Sequence, residues 1–142
     1  MRQNTQTSSL YKKVLTVGCF DPMHIGHLYH FQASRKHGNT LIVAVTKDGF
    51  VHKGAGRPYF NQIERSAVVR ALAIVDDVIL VESSIEALAL IKPAAFCIGV
   101  EYRNRVRPED AAYCRAHGIE IVFTDEHTYS STKIVNELLR QN

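Results

Sequence analysis

The chain has 142 residues, 17 Lys and Arg against 14 Asp and Glu, and a formal net charge of +3; 46% of it is hydrophobic and 22% charged. That is enough for one domain with a sizeable core, in the balance of an ordinary soluble globular protein. The cations form no stripe that would imply nucleic acid, and no apolar run approaches the ~20 residues of a membrane span.

Residues 1–12 read as a flexible tail with no apolar signal region, followed by a single domain over 13–142. Short apolar runs near 13–18, 41–46, 77–81, 95–99 and 119–123 read as strands. Longer amphipathic runs near 26–37, 61–73, 84–91, 108–117 and 131–140 read as helices. Asn61 with Glu64 three residues later is a capping-box pattern, and Gly38 and Gly118 stand as helix stops. Regular strand–helix alternation predicts an α/β, Rossmann-like fold: a doubly wound parallel sheet of five strands with helices on both faces. In such sheets ligands sit at the carboxyl ends of the strands, where the order reverses. The loops after strands one, two and four, and the loop before the last helix, should converge on one site. Cys19, Cys97 and Cys114 are odd in number and scattered, which fits neither a disulfide framework nor a paired-cysteine zinc pattern and points to a reducing, cytoplasmic setting.

The first of those loops is the most informative. Val14–Val17 runs into Gly18-Cys19-Phe20-Asp21-Pro22-Met23-His24-Ile25-Gly26-His27. Glycines allow close backbone approach, and a helix start offers unpaired N–H groups and a dipole that favours anions. His24 and His27, three apart, can face one bound group. Alone, the pair could be incidental, and a zinc reading drawing on Cys19 or His30 lacks a third ligand at convincing spacing. The strand, the Gly-x-Phe-Asp turn and the helix start together favour phosphate.

The loop after strand two carries Lys53-Gly54-Ala55-Gly56-Arg57-Pro58, two cations around two glycines, with Arg65 on the next helix as a third cation that could point inward. Taken alone it is a solvated turn. After strand four come Gly99, Glu101 and Tyr102, which could line a base or acceptor pocket or simply turn the chain. Ser130, Ser131 and Thr132 precede Lys133 and an apolar helical pattern: an ordinary N-cap by itself, and a second anion site in company with the first loop.

These motifs, in this order from Val14 to Ile134, resemble the HxGH nucleotidyltransferases, the cytidylyltransferase-like superfamily. Val51–Pro58, Glu64-Arg65, Val75-Asp76-Asp77-Val78, Ile91-Lys92-Pro93 and Ser130–Lys133 are most similar to heptose-phosphate adenylyltransferases. Glycerol-phosphate cytidylyltransferases carry an arginine where this chain has Ala73-Ile74, and another where it has Asp125-Glu126, which favours ATP over CTP. The heptose branch often has a Lys before the fourth-loop Gly and a Gly-Asp-Tyr after it, where this chain has Ile98 and Val100-Glu101-Tyr102. Class I aminoacyl-tRNA synthetases share a related motif, but this chain is too short for their further domains.

The resemblance implies an enzyme that moves a nucleotidyl group, AMP from ATP, to a phosphate monoester such as heptose 1-phosphate, releasing pyrophosphate. His24, His27 and Lys53 would be catalytic. Gly18, Cys19, Phe20, Gly26, Arg57, Arg65, Gly99, Ser130, Ser131, Thr132 and Lys133 would bind nucleotide, and Asp21, Glu101 and Tyr102 the acceptor. Mg²⁺ would bridge phosphates through water without a direct side-chain ligand, and a homodimer is the family habit. Glycerol 3-phosphate with CTP, flavin mononucleotide and phosphopantetheine stay open as alternatives, as do a nucleotide-binding sensor without turnover and one half of a kinase–transferase pair.

Overall fold

Thr40–Thr46 (β2), the sequence TLIVAVT, is buried along five consecutive residues, the mark of a strand covered on both faces. It pairs in parallel with Lys13–Gly18 (β1), Val14 opposite Leu41, and with Asp77–Val81 (β3), Val43 opposite Val78. β1 also pairs in parallel with Ala95–Gly99 (β4), and β4 with Glu120–Thr124 (β5). The order is β3-β2-β1-β4-β5, all parallel, so the expected five-stranded α/β sheet is present and its order reverses between β1 and β4. The computed structural model describes residues 12–125 and 131–141, with side chains in the second stretch from Lys133 onward. The expected tail over 1–12 therefore lies outside it, apart from Lys12.

The helices are Ile25–Arg35 (α1), Gln62–Arg70 (α2), Ser84–Ile91 (α3), Pro108–His117 (α4) and Ser131–Gln141 (α5). Phe31 of α1 and Val69 of α2 pack with Val14, Leu41, Val43 and Val45 on one face of the sheet. Ala87 and Leu88 of α3 and Cys114 of α4 pack with Leu15, Ile42 and Phe96 on the other. A central strand thus sends alternate residues into two separate cores, which is why the runs read as continuously apolar. Among the described residues no helix is long and apolar enough to cross a membrane.

The caps explain the ends. Asn61 accepts the Glu64 N–H at 2.9 Å and starts α2, and Ser83 accepts the Glu86 N–H at 3.1 Å and starts α3. Gly118 ends α4 at φ +66°, the left-handed cap that glycine adopts without penalty. Gly38 is different. α1 stops at Arg35, two residues short of the expected end, and Gly38 is small because a Cβ there would meet the Lys12 carbonyl oxygen at 2.5 Å. Two short 3₁₀ turns, Asp48–Phe50 and Val100–Arg105, follow β2 and β4.

Candidate functional site

The turn after β1 is built around Phe20, which holds a positive φ of 54° and lays its ring edge-on to His27, 5.0 Å between centroids. A Cβ on residue 18 would meet that ring at 2.8 Å, so Gly18 is required by the ring's place. α1 then begins with a reciprocal cap made by the two histidines. The Gly26 N–H donates to His24 Nδ1 and the His24 N–H donates to His27 Nδ1, both at 3.1 Å. Each Nδ1 is thereby an acceptor, which puts the proton of each neutral ring on Nε2. The rings stack with centroids 3.8 Å apart.

Burial pushes the His27 imidazole down to about 3, helped by the charges of His24 and Lys53; burial and then Lys53 lower His24 as well. Near neutral pH both rings are therefore uncharged Nε2–H donors at the N-terminus of an α-helix whose first turn has no acidic residue. That is a site for anionic oxygen.

The histidines open onto a cavity of ≈ 370 Å³ where the sheet order reverses, at the carboxyl ends of β1 and β4. Gly18, Cys19 and Phe20 line it from the first loop, and His24, Gly26 and His27 from the start of α1. Lys53 enters from the second loop, and Gly99, Glu101 and Tyr102 from the fourth. A Cβ on residue 99 would meet only the movable end of the exposed Glu101 side chain, at 2.6 Å. Ten of the residues singled out from sequence thus share one wall. Ser130 lies outside the described residues, as do the side chains of Ser131 and Thr132. Their position is the start of α5, and Lys133 is exposed in its first turn.

Three residues fall elsewhere than expected: Asp21, Arg57 and Arg65 are absent from the cavity wall. Asp21 is fully buried and accepts from the Tyr59 N–H (2.7 Å), the Phe60 N–H (2.9 Å) and Arg57 Nε (3.0 Å). Burial alone would raise its carboxyl. The Phe60 and Tyr59 N–H groups and Arg57 together outweigh that and hold it below the usual value. Arg57 is nearly as deep, 3% exposed at its side chain, and also donates to the Asp21 carbonyl. Arg65, 2% exposed, donates to the carbonyls of Phe60 and Cys19 and to Asp48. In place of an acceptor contact and two triphosphate contacts, these side chains bind the second loop to the first. Lys53, Gly54, Ala55 and Gly56 are left exposed on the near side of that anchor, the glycines at φ +103° and +76°.

Other polar residues of the cavity were not assigned from sequence to nucleotide or acceptor, His30 having entered only the zinc reading. His30, one helical turn beyond His27, bridges Thr16 and Thr124, each at 2.7 Å, and ties β1 to β5 beneath the site. Burial pushes its imidazole down to about 4. The i, i+3 step from His27 was the available clue. Ser84, Arg105, Arg107 and Asp110 line the far side of β4. Among the described residues no three His, Cys, Asp or Glu side chains are placed to hold a metal ion. No step below depends on a metal ion held by the protein.

A family model described as cytidylyltransferase-like matches residues 15–137. The bifunctional protein HldE of Geobacter metallireducens is 30% identical over 135 residues, 91% of this chain and 27% of that protein. This chain thus spans little more than a quarter of that relative's length. FAD synthase of Pyrococcus abyssi is 37% identical over 91 residues, 61% of this chain and 62% of that one. A lipopolysaccharide core biosynthesis protein from Thermoplasma volcanium superposes with a TM-score of 0.71 at 25% identity, covering 82% of this chain and 98% of its own. Pantothenate synthetase from Thermus thermophilus shares the fold, with a TM-score of 0.64 at 14% identity over 91% of this chain and 63% of its own.

Proposed function

This chain belongs to the cytidylyltransferase-like family, and on that premise we propose that it transfers AMP from ATP to the phosphate of a phosphate monoester and releases pyrophosphate. The observation that carries the reading is the pair of stacked, neutral Nε2–H imidazoles at the α1 N-terminus, with Lys53 on the same cavity wall. An acceptor phosphate oxygen is already nucleophilic near neutral pH, so the chemistry asks for alignment and charge stabilisation rather than a strong base. The oxygen attacks the α-phosphorus in line, the bond to the bridging oxygen breaks, and pyrophosphate departs with that electron pair. As negative charge grows on the α-phosphoryl oxygens, His24 and His27 donate to them. The α1 N-terminus adds its dipole, and Lys53 neutralises the leaving phosphates.

Ser131, Thr132 and Lys133, at the start of α5, would hold the β- and γ-phosphates. Mg²⁺ would arrive as the nucleotide's own counter-ion, on phosphate oxygens and water. A sugar phosphate such as heptose 1-phosphate is the favoured acceptor, supported by the second-loop motif and by the likeness to the lipopolysaccharide core protein. Flavin mononucleotide is the second reading, favoured by the FAD synthase relative. The same reading carries a homodimer, checked by sedimentation. The test of the chemistry is pyrophosphate release from ATP, CTP, GTP and UTP, each crossed with heptose 1-phosphate, glycerol 3-phosphate, phosphopantetheine and flavin mononucleotide. ATP with one acceptor should dominate. Nucleotide binding without pyrophosphate release from any pair would favour a sensor.

A further inference from the structure

The cavity does not end at the histidines. It continues round the tip of β4 to the opposite face of the sheet, where Phe96, Ser84 at the start of α3, and Arg107 and Asp110 at the start of α4 line it. None of this polar group is used in the nucleotide chemistry above. Asp110 is only 5% exposed, yet its Oδ1 has no hydrogen-bond partner among the described residues. Burial raises its carboxyl, while Arg107 and a hydrogen bond from Ser84 oppose that rise. The open Oδ1 is an acceptor, and a buried acceptor left open is costly unless a ligand supplies the donor.

We propose that Asp110, held by Ser84, receives hydroxyl groups of the acceptor, so that the second substrate is a phosphate monoester with a hydroxylated carbon skeleton. The inference rests on the nucleotidyltransferase reading and adds the acceptor's orientation: phosphate toward His24, His27 and Lys53, hydroxyls toward Asp110. Arg105 and Arg107 line the same end, Arg107 paired with Glu109, so that cations are already supplied there and a neutral donor is favoured for the open oxygen. An apolar chain would leave Asp110 Oδ1 open. Hydroxyls meet both demands, whether on a sugar, a glycerol or a ribityl chain.

The test uses matched probes, glycerol 3-phosphate against n-propyl phosphate and mannose 1-phosphate against cyclohexyl phosphate. Binding is measured by calorimetry with and without α,β-methylene-ATP. At least one hydroxylated probe should bind roughly 10- to 100-fold more tightly than its apolar match, the range for a hydrogen bond to a charged group. Asp110→Asn should erase that preference while leaving the affinity for α,β-methylene-ATP unchanged. No preference in either pair, including failure of all four probes to bind, overturns the proposal, as does a preference that survives Asp110→Asn. If circular dichroism shows that Asp110→Asn does not fold, the wild-type pairs and Ser84→Ala, which should weaken the preference, decide the matter. Failure to bind α,β-methylene-ATP at all would instead strike the nucleotidyltransferase reading, and the probe pairs without nucleotide would still judge Asp110.

Discussion

Replacing Asp21 should be far more damaging than its place in a surface-connecting turn suggests. Its carboxylate is fully buried and accepts three hydrogen bonds, two from the backbone of Tyr59 and Phe60 and one from Arg57, whose side chain is 3% exposed. Asp21→Ala removes the charge partner of a buried guanidinium and leaves it the Asp21 carbonyl, a loss of up to about 3–5 kcal/mol, and opens two backbone donors at about 1–3 kcal/mol each. Water entry and loop movement relieve part of this, leaving about 4–6 kcal/mol, which is close to the whole stability of a marginal domain. Asp21→Asn keeps the shape but turns an amide N–H₂ toward donors, and should cost about 2–4 kcal/mol. Arg57→Met leaves Asp21 its two backbone partners, so the double variant should be about 1–3 kcal/mol more stable than the sum of the singles implies. Urea unfolding followed by circular dichroism reads all four variants, with an unchanged m-value as the sign that only stability moved. A cost below 1 kcal/mol for Asp21→Asn, or strict additivity with Arg57→Met, would refute the assignment of Asp21 and Arg57 as the clamp between the two loops.

Acid should weaken the fold from about pH 6.5 downward. His27 and His30 are held neutral, down to about 3 and about 4, while an unfolded histidine titrates near 6.5. Between those values the unfolded chain binds more protons, so stability is complete above about pH 6.5 and falls as pH drops below it. At pH 5.5 each histidine accounts for about 1.4 kcal/mol, roughly 3 kcal/mol for the two. Urea midpoints at pH 7.5 and 5.5 measure this, and equal midpoints would contradict the buried neutral rings. Asp21, with its lowered carboxyl, adds its own loss only as pH falls through about 4 and below. Lys53→Ala lies on an exposed loop and should leave stability within about 0.5 kcal/mol, while kcat falls on the order of 10²–10³. Near-wild-type turnover at saturating substrates would remove Lys53 from the machinery.

The strands were legible because each apolar run serves two cores. Thr40–Thr46 has no alternation to misread, and its neighbours are bounded by turns. Helix starts were legible where a side chain close in sequence makes the cap, as at Asn61. The wall formed by His24, His27 and Lys53 was also legible, since parallel strands bring successive carboxyl-end loops together. What escaped was pairing at a distance. Arg57 and Arg65 read as cations free for phosphate because nothing near them in the chain is their partner. Asp21 lies 36 residues from Arg57, and the Cys19 carbonyl lies 46 residues from Arg65. Asp110 escaped for the same reason: in the first turn of α4 it looks like ordinary dipole compensation, and only the packing of α4 beside α3 buries it near Ser84. The turn over Val100–Arg105 is too short to show a period.

The measurement that bears most directly on the chemistry is label transfer from ATP labelled at the α- or the γ-phosphorus, with the acceptor that gives the most pyrophosphate. Nucleotidyl transfer puts the α-label in the acceptor product and the γ-label in pyrophosphate, with both signals falling on the order of 10²–10³ in His27→Ala. A γ-label on the acceptor would mean phosphoryl transfer. Bound ATP with neither label moved would mean a site that senses nucleotide without turning it over.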